Sequence, residues 1–378
     1  MHLNVAAALI LNEAGEVLCV KRGASKFQST AFKWEFPGGK IEANETAAQA
    51  AVREIKEELG ITIEAIADAP CVEHTYPEFS ITLQGVLCVQ TTQETPQLSE
   101  HIEQCWCAPD ALWKLDFAAA DVPLLCYLRE KAFGAALKTN CFGRYPHFLM
   151  ACESTNDELL RLAERGAPAG TLVVSEVQSS GRGRLGRSWL SEPGQGLLFS
   201  FLARPQLPPE ITVTLPLVAG LAVTLALRDL GVAAGLKWPN DVLLGDLKVC
   251  GVLCEAQTSA RGIEGIIIGI GINTGVVPAA VAYRATQVPG VLNRLALLAQ
   301  ILKRFEGLYE RWEKQGLAAL RVELDQCDCK VNLPITVKLS DTPLEGISRG
   351  IREDGALLLE TATGEVMPIV CGEIMQWD

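Results

Sequence analysis

Two clusters of charged residues carry most of the chemistry this chain could do. The first is Gly181-Arg182-Gly183-Arg184-Leu185-Gly186-Arg187. Residues with no side chain alternate there with forked cations. Glycine lets the backbone come close to a ligand, and a guanidinium grips phosphate or carboxylate through two parallel hydrogen bonds. The run also matches G-x-G-x-x-G at Gly181, Gly183 and Gly186. A dinucleotide fold needs a helix directly afterwards. Instead Ser191-Glu192-Pro193-Gly194 breaks a helix, and the strand-like GLLFSFLA follows. The Rossmann reading is therefore rejected; an anion-binding loop and a basic surface loop remain. The second cluster is Glu54, Glu57 and Glu58, beside Gly38-Gly39. Carboxylates three and four apart on a helix repel by a few tenths of a kcal/mol per pair. Such crowding fits a solvated acidic face, or oxygen ligands for a hard divalent cation.

These residues need elements to position them. Thr171 to Val177 is a short β-branched run that reads as a buried strand leading into the arginine loop. Lys237-Trp238-Pro239-Asn240-Asp241 precedes a strand pair whose second arm carries Lys248, and Ile266 to Gly275 is an apolar strand ending in close-spaced glycines and Asn273. Ser154 to Gly166 reads as a helix with a Thr155/Glu158 capping box. The glutamates sit on a helix that starts at a Thr46/Gln49 capping box and stops at Gly60, with Val52, Ile55 and Leu59 as its apolar face. Leu3 to Leu11 and Glu16 to Lys21 form a hairpin ahead of it. Val122 to Ala136 reads as a closing helix, Lys138 to Tyr145 as a linker, and Leu292 to Leu317 as a long amphipathic helix. Four short strands after Val331, spaced by the turns Asp341-Thr342-Pro343, Asp354-Gly355 and Thr363-Gly364, predict a small barrel.

Composition narrows the class. A length of 378 residues predicts two or three domains. A net charge of −12 argues against general nucleic-acid binding. Apolar runs are interrupted before they reach membrane-spanning length, and no basic-then-apolar leader opens the chain, so neither a membrane span nor a secretory signal is expected. The 13 cysteines lack paired C-x-x-C spacing and read as reduced thiols in the cytoplasm. With only 4 His, no structural metal is expected.

The ordered set Ser154-Thr155-Asn156, Gln178, Gly181 to Arg187, Lys237 to Asp241, Lys248 and Gly269 to Asn273 resembles that of the bacterial biotin–protein ligases. The resemblance implies ATP-dependent activation of biotin as biotinyl-5′-AMP and transfer to a lysine of the biotin carboxyl carrier protein of acetyl-CoA carboxylase. It implies that Ser154, Thr155, Asn156 and Gln178 lie by the biotin ring. Arg182, Gly183, Arg184 and Arg187 would cover the adenylate and polyphosphate, with Arg184 catalytic. Lys248 would be the central catalytic cation. Trp189 would be an adenine shelf, Asn240 and Asn273 would touch nucleotide, and Gly269 and Gly271 would let backbone approach biotin. Many such ligases carry an N-terminal DNA-binding module that is not seen here, so no operator binding is expected, and a homodimer is left open. A related lipoate-handling protein is the alternative.

Gly39-x5-Glu45-x7-Arg53-Glu54-x2-Glu57-Glu58-x-Gly60 resembles the complete Nudix hydrolase signature, and the flanking Trp34 to Glu42 is similar to the subgroup acting on nucleoside triphosphates, including oxidised purines such as 8-oxo-dGTP. The resemblance implies Mg²⁺ held by Gly39, Glu54, Glu57, Glu58 and Glu100, with Glu54 as catalytic base. Arg22, Phe36, Pro37, Gly38 and Asp121 would bind the substrate. Asp121 stands where an Asn commonly reads the base, which leaves a pyrimidine such as dCTP open. A nucleotide-sensing regulatory module is the non-enzymatic alternative. The expected architecture is α+β and multidomain: a Nudix α/β/α sandwich over 1–132, a linker over 133–145, a ligase domain with a class II synthetase-like mixed sheet over 146–330, and an SH3-like barrel over 331–378.

Overall fold

The structure, a computed structural model, describes residues 1–378 except 93, 261, 291–292, 340–342 and 376–378, and omits the side chain of Ser259. Leu292 and the Asp341-Thr342 part of the expected turn lie outside the described residues. The chain divides into two compact units, Met1–Ala132 and Phe133–Asp378.

In the first unit β1 (His2–Leu11), β2 (Val17–Arg22), β3 (Trp34–Glu35), β4 (Gly38–Lys40), α1 (Ala47–Leu59), β5 (Ile63–Thr75), β6 (Ser80–Gln90) and β7 (His101–Cys107) follow in order, and α2 (Val122–Ala136) closes it. Among the described residues the strands form one mixed seven-stranded sheet along β3-β2-β1-β6-β5, with β4 on β1 and β7 on β2. The β1–β6 pair is parallel. Thr46 and Gln49 make the expected capping box, and Gly60 ends α1 at φ +69°, a conformation glycine adopts without a Cβ penalty. The apolar face of α1 is Ala51, Ile55 and Leu59, all fully buried, whereas Val52 is exposed. The sequence pattern puts Val52 on that face, and the structure does not. Residues 51, 55 and 59 follow an i, i+4, i+8 line, and position 52 lies about 100° further round. Burying Ile55 and Leu59 contributes about 1.5–3 kcal/mol each.

The second unit begins within α2 and continues with β8 (Tyr145–Cys152), α3 (Thr155–Glu164), β9 (Thr171–Gln178), β10 (Gly196–Ala203), α4 (Pro209–Thr212), α5 (Leu215–Asp229), β11 (Ala234–Lys237), β12 (Asp241–Leu244), β13 (Leu247–Ser259), β14 (Gly262–Asn273), α6 (Arg294–Gln315) and α7 (Arg321–Cys327). Its sheet runs β11-β12-β13-β14-β10-β9-β8, antiparallel except for the β8–β9 pair. Then β15 (Pro334–Lys338), β16 (Pro343–Ile351), β17 (Leu357–Glu360), β18 (Val366–Ile369) and β19 (Glu373–Ile374) form a small antiparallel sheet. Residues 133–145 are packed rather than loose. Phe133 and Phe142 are buried, and the Glu306 carboxylate accepts from the backbone N–H groups of Asn140 and Cys141 at 2.8 and 2.6 Å. One distant side chain satisfies amides that local polarity assigned to solvent. The stretch Pro209–Asp229 is long and apolar enough to cross a membrane, but 72% of its apolar window is buried inside the fold. Most of it is α5, which packs against α6 and the sheet.

Candidate active sites

Strands β9, β11, β12, β13, β14, β15 and β19, the start of α3 and several loops of the second unit converge on a cavity of about 900 Å³. Ser154, Thr155, Asn156, Gln178, Arg182, Gly183, Arg184, Arg187, Trp189, Asn240, Lys248, Gly271 and Asn273 all line it. The structure thus brings together every residue assigned to this site from the sequence, drawn from six separate segments.

A polar network forms the floor. The helix α3 starts at Ser154, whose side chain makes no cap bond. The Thr155 N–H is taken instead by Gln178 Oε1 at 2.7 Å, and the Thr155 hydroxyl donates to the same oxygen at 3.1 Å. The expected capping box is absent because Glu158 pairs with Arg161 at 2.8 Å, leaving the helix N-terminus to a strand-borne amide. Ser200, fully buried on β10, donates to Asn156 Oδ1 at 2.6 Å, and its Oγ lies 2.7 Å from Thr155 Oγ1. Asn156 Nδ2 donates to Glu255 Oε2 at 2.6 Å. Glu255 and Asp157 both accept from Arg182, at 2.8 and 2.6 Å.

The glycines of β13 and β14 make room for these side chains. A Cβ on Gly269 would lie 2.1 Å from Asn156 Oδ1, and one on Gly271 2.5 Å from the Trp189 ring. At both positions the space a Cβ would fill is taken by a neighbouring side chain, and both glycines line the cavity. Trp189 Nε1 is buried with no acceptor among the described residues.

The cations have defined partners. Lys248 Nζ lies 2.6 Å from Asp241 Oδ1 and 5.8 Å from the centre of the Trp189 ring. Its backbone is pinned on both sides: its N–H donates to Arg284 O at 3.1 Å and its carbonyl accepts from Thr286 at 2.9 Å. Lys237 also faces Asp241, at 3.8 Å. Burial holds the Lys237 ammonium below its ordinary range, with Asp241 opposing that shift. The arginine loop is closed by Gly183 N–H to Arg187 O at 2.6 Å and Trp189 N–H to Gly181 O at 2.8 Å. Arg184 Nη1 donates to Asn240 Oδ1 at 3.2 Å. Arg187 forks onto Glu373 at 2.8 and 2.7 Å. Burial opposes it, but the Arg187 guanidinium still holds the Glu373 carboxyl below its usual range. Asn240 Nδ2 and Asn273 Nδ2 are spent on the carbonyls of Val252 and Thr286.

In the first unit, Arg53 is the hub of the glutamates. It binds Glu45 through Nε and Nη2, both at 2.9 Å, and its Nη1 lies 3.0 Å from Glu54 and 3.5 Å from Glu57. A Cβ on Gly39 would sit 2.1 Å from Glu54 Cδ, so only glycine lets this carboxylate lie against the loop. Glu58 is half-buried, and burial pushes its carboxyl up to about 7, with the charges of Glu100 and Glu54 adding to the shift and His101 opposing it. Among the described residues no three His, Cys, Asp or Glu side chains are gathered as ready metal ligands. Gly39, Glu54, Glu57, Glu58 and Glu100 are therefore near neighbours in part rather than a closed shell. Carboxylates repel one another without a cation, and Arg53 takes up their charge instead. The donors nevertheless suit a hard cation. All are oxygens, and Glu58 Oε2 is buried with no hydrogen-bond partner among the described residues.

The substrate-side residues lie close by. The Phe36 N–H donates to Asp121 Oδ1 at 3.0 Å, and the Phe36 and Phe117 rings are 5.1 Å apart. Burial, then the nearby Glu35 charge, raises the Asp121 carboxyl well above its usual range. Pro37 O accepts from Ala8 at 2.8 Å, and Gly38 packs within 2.0 Å of Ala6 O as measured from an ideal Cβ. Arg22 is committed to Glu35, Nε to Oε2 at 3.0 Å and Nη2 to Oε1 at 2.9 Å.

Comparison with known proteins follows this division. The NUDIX domain family matches residues 1–128, the biotin/lipoate A/B protein ligase family 149–273, and the biotin protein ligase C terminal domain 332–375. The bifunctional ligase/repressor BirA of Bacillus subtilis is 31% identical over 246 residues, 63% of this chain and 76% of that protein. The chain belongs to the biotin–protein ligase family. Its ligase part is also 32% identical over 236 residues to the biotin–[acetyl-CoA-carboxylase] ligase of Paracoccus denitrificans, covering 58% of this chain and 96% of that one. The solved biotin protein ligase from Aquifex aeolicus in complex with biotin and ATP is 31% identical, with a TM-score of 0.55, and covers 61% of this chain and 98% of that one. In front of this ligase part lies a Nudix domain.

Several residues of the two sites were not singled out from the sequence. Ser200 was visible as the lone hydroxyl in the apolar GLLFSFLA run, but nothing local pointed it at Asn156. Lys237 and Asp241 flank Trp238-Pro239-Asn240, and only the fold turns both toward Lys248. Glu255, Glu373, Glu35 and His101 meet partners far away in the sequence, on other strands, on α3 or on the arginine loop.

Proposed function

We propose that the chain is a bifunctional enzyme acting in the cytoplasm. Its ligase part joins biotin to a lysine of a biotin carboxyl carrier protein, at the expense of ATP. The convergence of Arg182, Arg184, Arg187 and Lys248 and the Ser154-to-Gln178 network on one cavity carries this reading. The biotin carboxylate attacks the α-phosphate, biotinyl-5′-AMP forms and pyrophosphate leaves. The carrier lysine amine then attacks the acyl carbon, an amide forms and AMP leaves. Both partners of the first step are anions, so a preorganised cation lowers the barrier. Lys248 has that role, its backbone pinned and its head group held by Asp241. Arg182 and Arg184 cover the adenylate, Arg187 anchors the loop, and Ser154, Thr155, Asn156 and Gln178 hold the ureido ring. Trp189 supplies a stacking face. A loop closed over a hydrolysable anhydride keeps water away from it.

The Nudix domain hydrolyses a nucleoside triphosphate to the monophosphate and pyrophosphate. Mg²⁺, when bound, neutralises phosphate charge and activates water; Glu54, Glu57, Glu58, Glu100 and the Gly39 backbone would hold it. Glu54 takes the proton of the attacking water. Phe36 and Asp121 meet the base, and a damaged purine such as 8-oxo-dGTP is the favoured substrate.

Carrier labelling with biotin and with lipoate tests the first activity; labelling by lipoate alone would replace the biotin reading. A nucleotide panel with pyrophosphate-release readout, on the parent and on Glu54→Gln, tests the second. Turnover lost in the variant supports catalysis. Nucleotide binding without turnover in the parent leaves a sensing module, and a preference for dCTP moves the base assignment to pyrimidine.

A further inference from the structure

We propose that Cys19 and Cys105 are a redox pair that closes to a reversible disulfide when the protein meets a hydroperoxide, clamping the edge strand β7 to β2. Both are free thiols, and they stand directly opposite each other on the antiparallel β2–β7 ladder. Opposed residues on such a ladder have Cα atoms about 4.5 or 5.5 Å apart, according to the kind of pair. Both spacings fall inside the roughly 4.4–6.8 Å that a disulfide spans. The two side chains also share a face. Leu18, Val20 and Trp106 pack into the core under α1, so the alternate residues Cys19 and Cys105 project from the other side of the sheet. A hydrogen bond already joins the two thiols. Among the described residues β7 pairs with β2 alone, so this contact lies on the one ladder that holds the strand.

The two thiols divide the work by burial. Cys19 is fully buried, and Cys105 is half-buried. The hydrogen bond from Cys19 holds the Cys105 thiol below its ordinary value, against burial and the Glu103 charge. Cys107 follows two residues later on the same face and is pushed up to about 11, chiefly by burial. The thiolate is the nucleophile, and exposure decides which one an oxidant reaches. Cys105 therefore reacts first. Its thiolate sulfur attacks one oxygen of the peroxide; an S–O bond forms, the O–O bond breaks and hydroxide or alkoxide leaves. The Cys19 sulfur then attacks Cys105. An S–S bond forms, the S–O bond breaks, and the hydroxyl leaves as water with the Cys19 proton. The thiols give up two electrons and the peroxide takes them. Cys107 is the poorer partner, since residues two apart on one strand lie about 6.8 Å apart with parallel side chains, at the limit of a disulfide's reach. Among the described residues no third His, Cys, Asp or Glu completes a metal site around the pair.

The test exposes the full chain to hydrogen peroxide, alkylates the remaining thiols and maps the peptides by mass spectrometry without reduction. A cross-linked Cys19–Cys105 peptide should form ahead of any other disulfide and disappear with dithiothreitol. It should be lost in Cys105→Ser and persist in Cys107→Ser. In Cys19→Ser the sulfenic acid on Cys105 has no partner, and dimedone should capture it. Oxidation should raise the unfolding temperature of the parent by roughly 5–15 °C, because the bond closes a long loop in the unfolded chain, and leave that of Cys105→Ser unmoved. Cys105 linked chiefly to Cys107 or to a second chain overturns the proposal, as does a Cys105 still open to alkylation once other cysteines have oxidised. An unfolding temperature that oxidation does not raise overturns the clamp. If Cys19→Ser does not fold, the parent and Cys105→Ser still decide.

Discussion

Replacing Lys248 by alanine is the most direct test of how the ligase joins two anions. Two unit charges about 4 Å apart interact by ~4 kcal/mol at the effective dielectric of a protein surface. The Lys248 side chain is 32% exposed and already shares its charge with Asp241 at 2.6 Å, so only part of that value is available to the substrates. Removing one preorganised donor of this kind costs about 100- to 1000-fold, roughly 2.7–4 kcal/mol. The fold should tolerate the change, because Asp241 keeps Lys237 at 3.8 Å and the strand is held by backbone bonds to residues 284 and 286. Biotin-dependent exchange of pyrophosphate into ATP should fall by that factor. Transfer from supplied biotinyl-5′-AMP should fall less, since the two anions are already joined. Thermal unfolding should be nearly unchanged. Pyrophosphate exchange within tenfold of the parent would refute the reasoning, and so would an equal loss in both steps.

Two further outcomes follow from the packing and the titration of single groups. Gly269→Ala sets a Cβ against an Asn156 amide that Ser200 and Glu255 both hold at 2.6 Å. Overpacking of ~1–3 kcal/mol should raise the KM for biotin roughly 10- to 100-fold and leave that for ATP unmoved, as initial rates against each substrate would record. Glu58 is pushed up to about 7 by burial, so the folded state holds its proton more tightly than the unfolded chain. Its contribution to stability is present below the unfolded pKa, near 4.5, and is lost as pH rises through about 7. In EDTA, Glu58→Gln should therefore raise the melting temperature at pH 8 and not at pH 4; an equal change at both would contradict the burial of that charge.

The division between what was legible and what was not has a physical basis. Local spacing was enough for the Thr46/Gln49 cap, the Gly60 stop, the helix Val122–Ala136 and the strand before the arginine loop, because each depends on neighbours a few residues away. The motifs were equally legible as residue types, and the cavity gathers all thirteen residues assigned to it. Partnership was not. Gln178 caps Thr155 across 23 positions, Arg187 grips Glu373 across 186, and Glu306 satisfies amides 165 positions away. A glycine spacing does not reveal which side chains fill the space beside it, as those of Asn156 and Trp189 do at Gly269 and Gly271. Residue order along the chain determines which groups are available and which stretches coil or extend. Only strand register and packing decide which charges meet, because an ion pair or hydrogen bond depends on distances of a few ångströms that sequence separation does not encode.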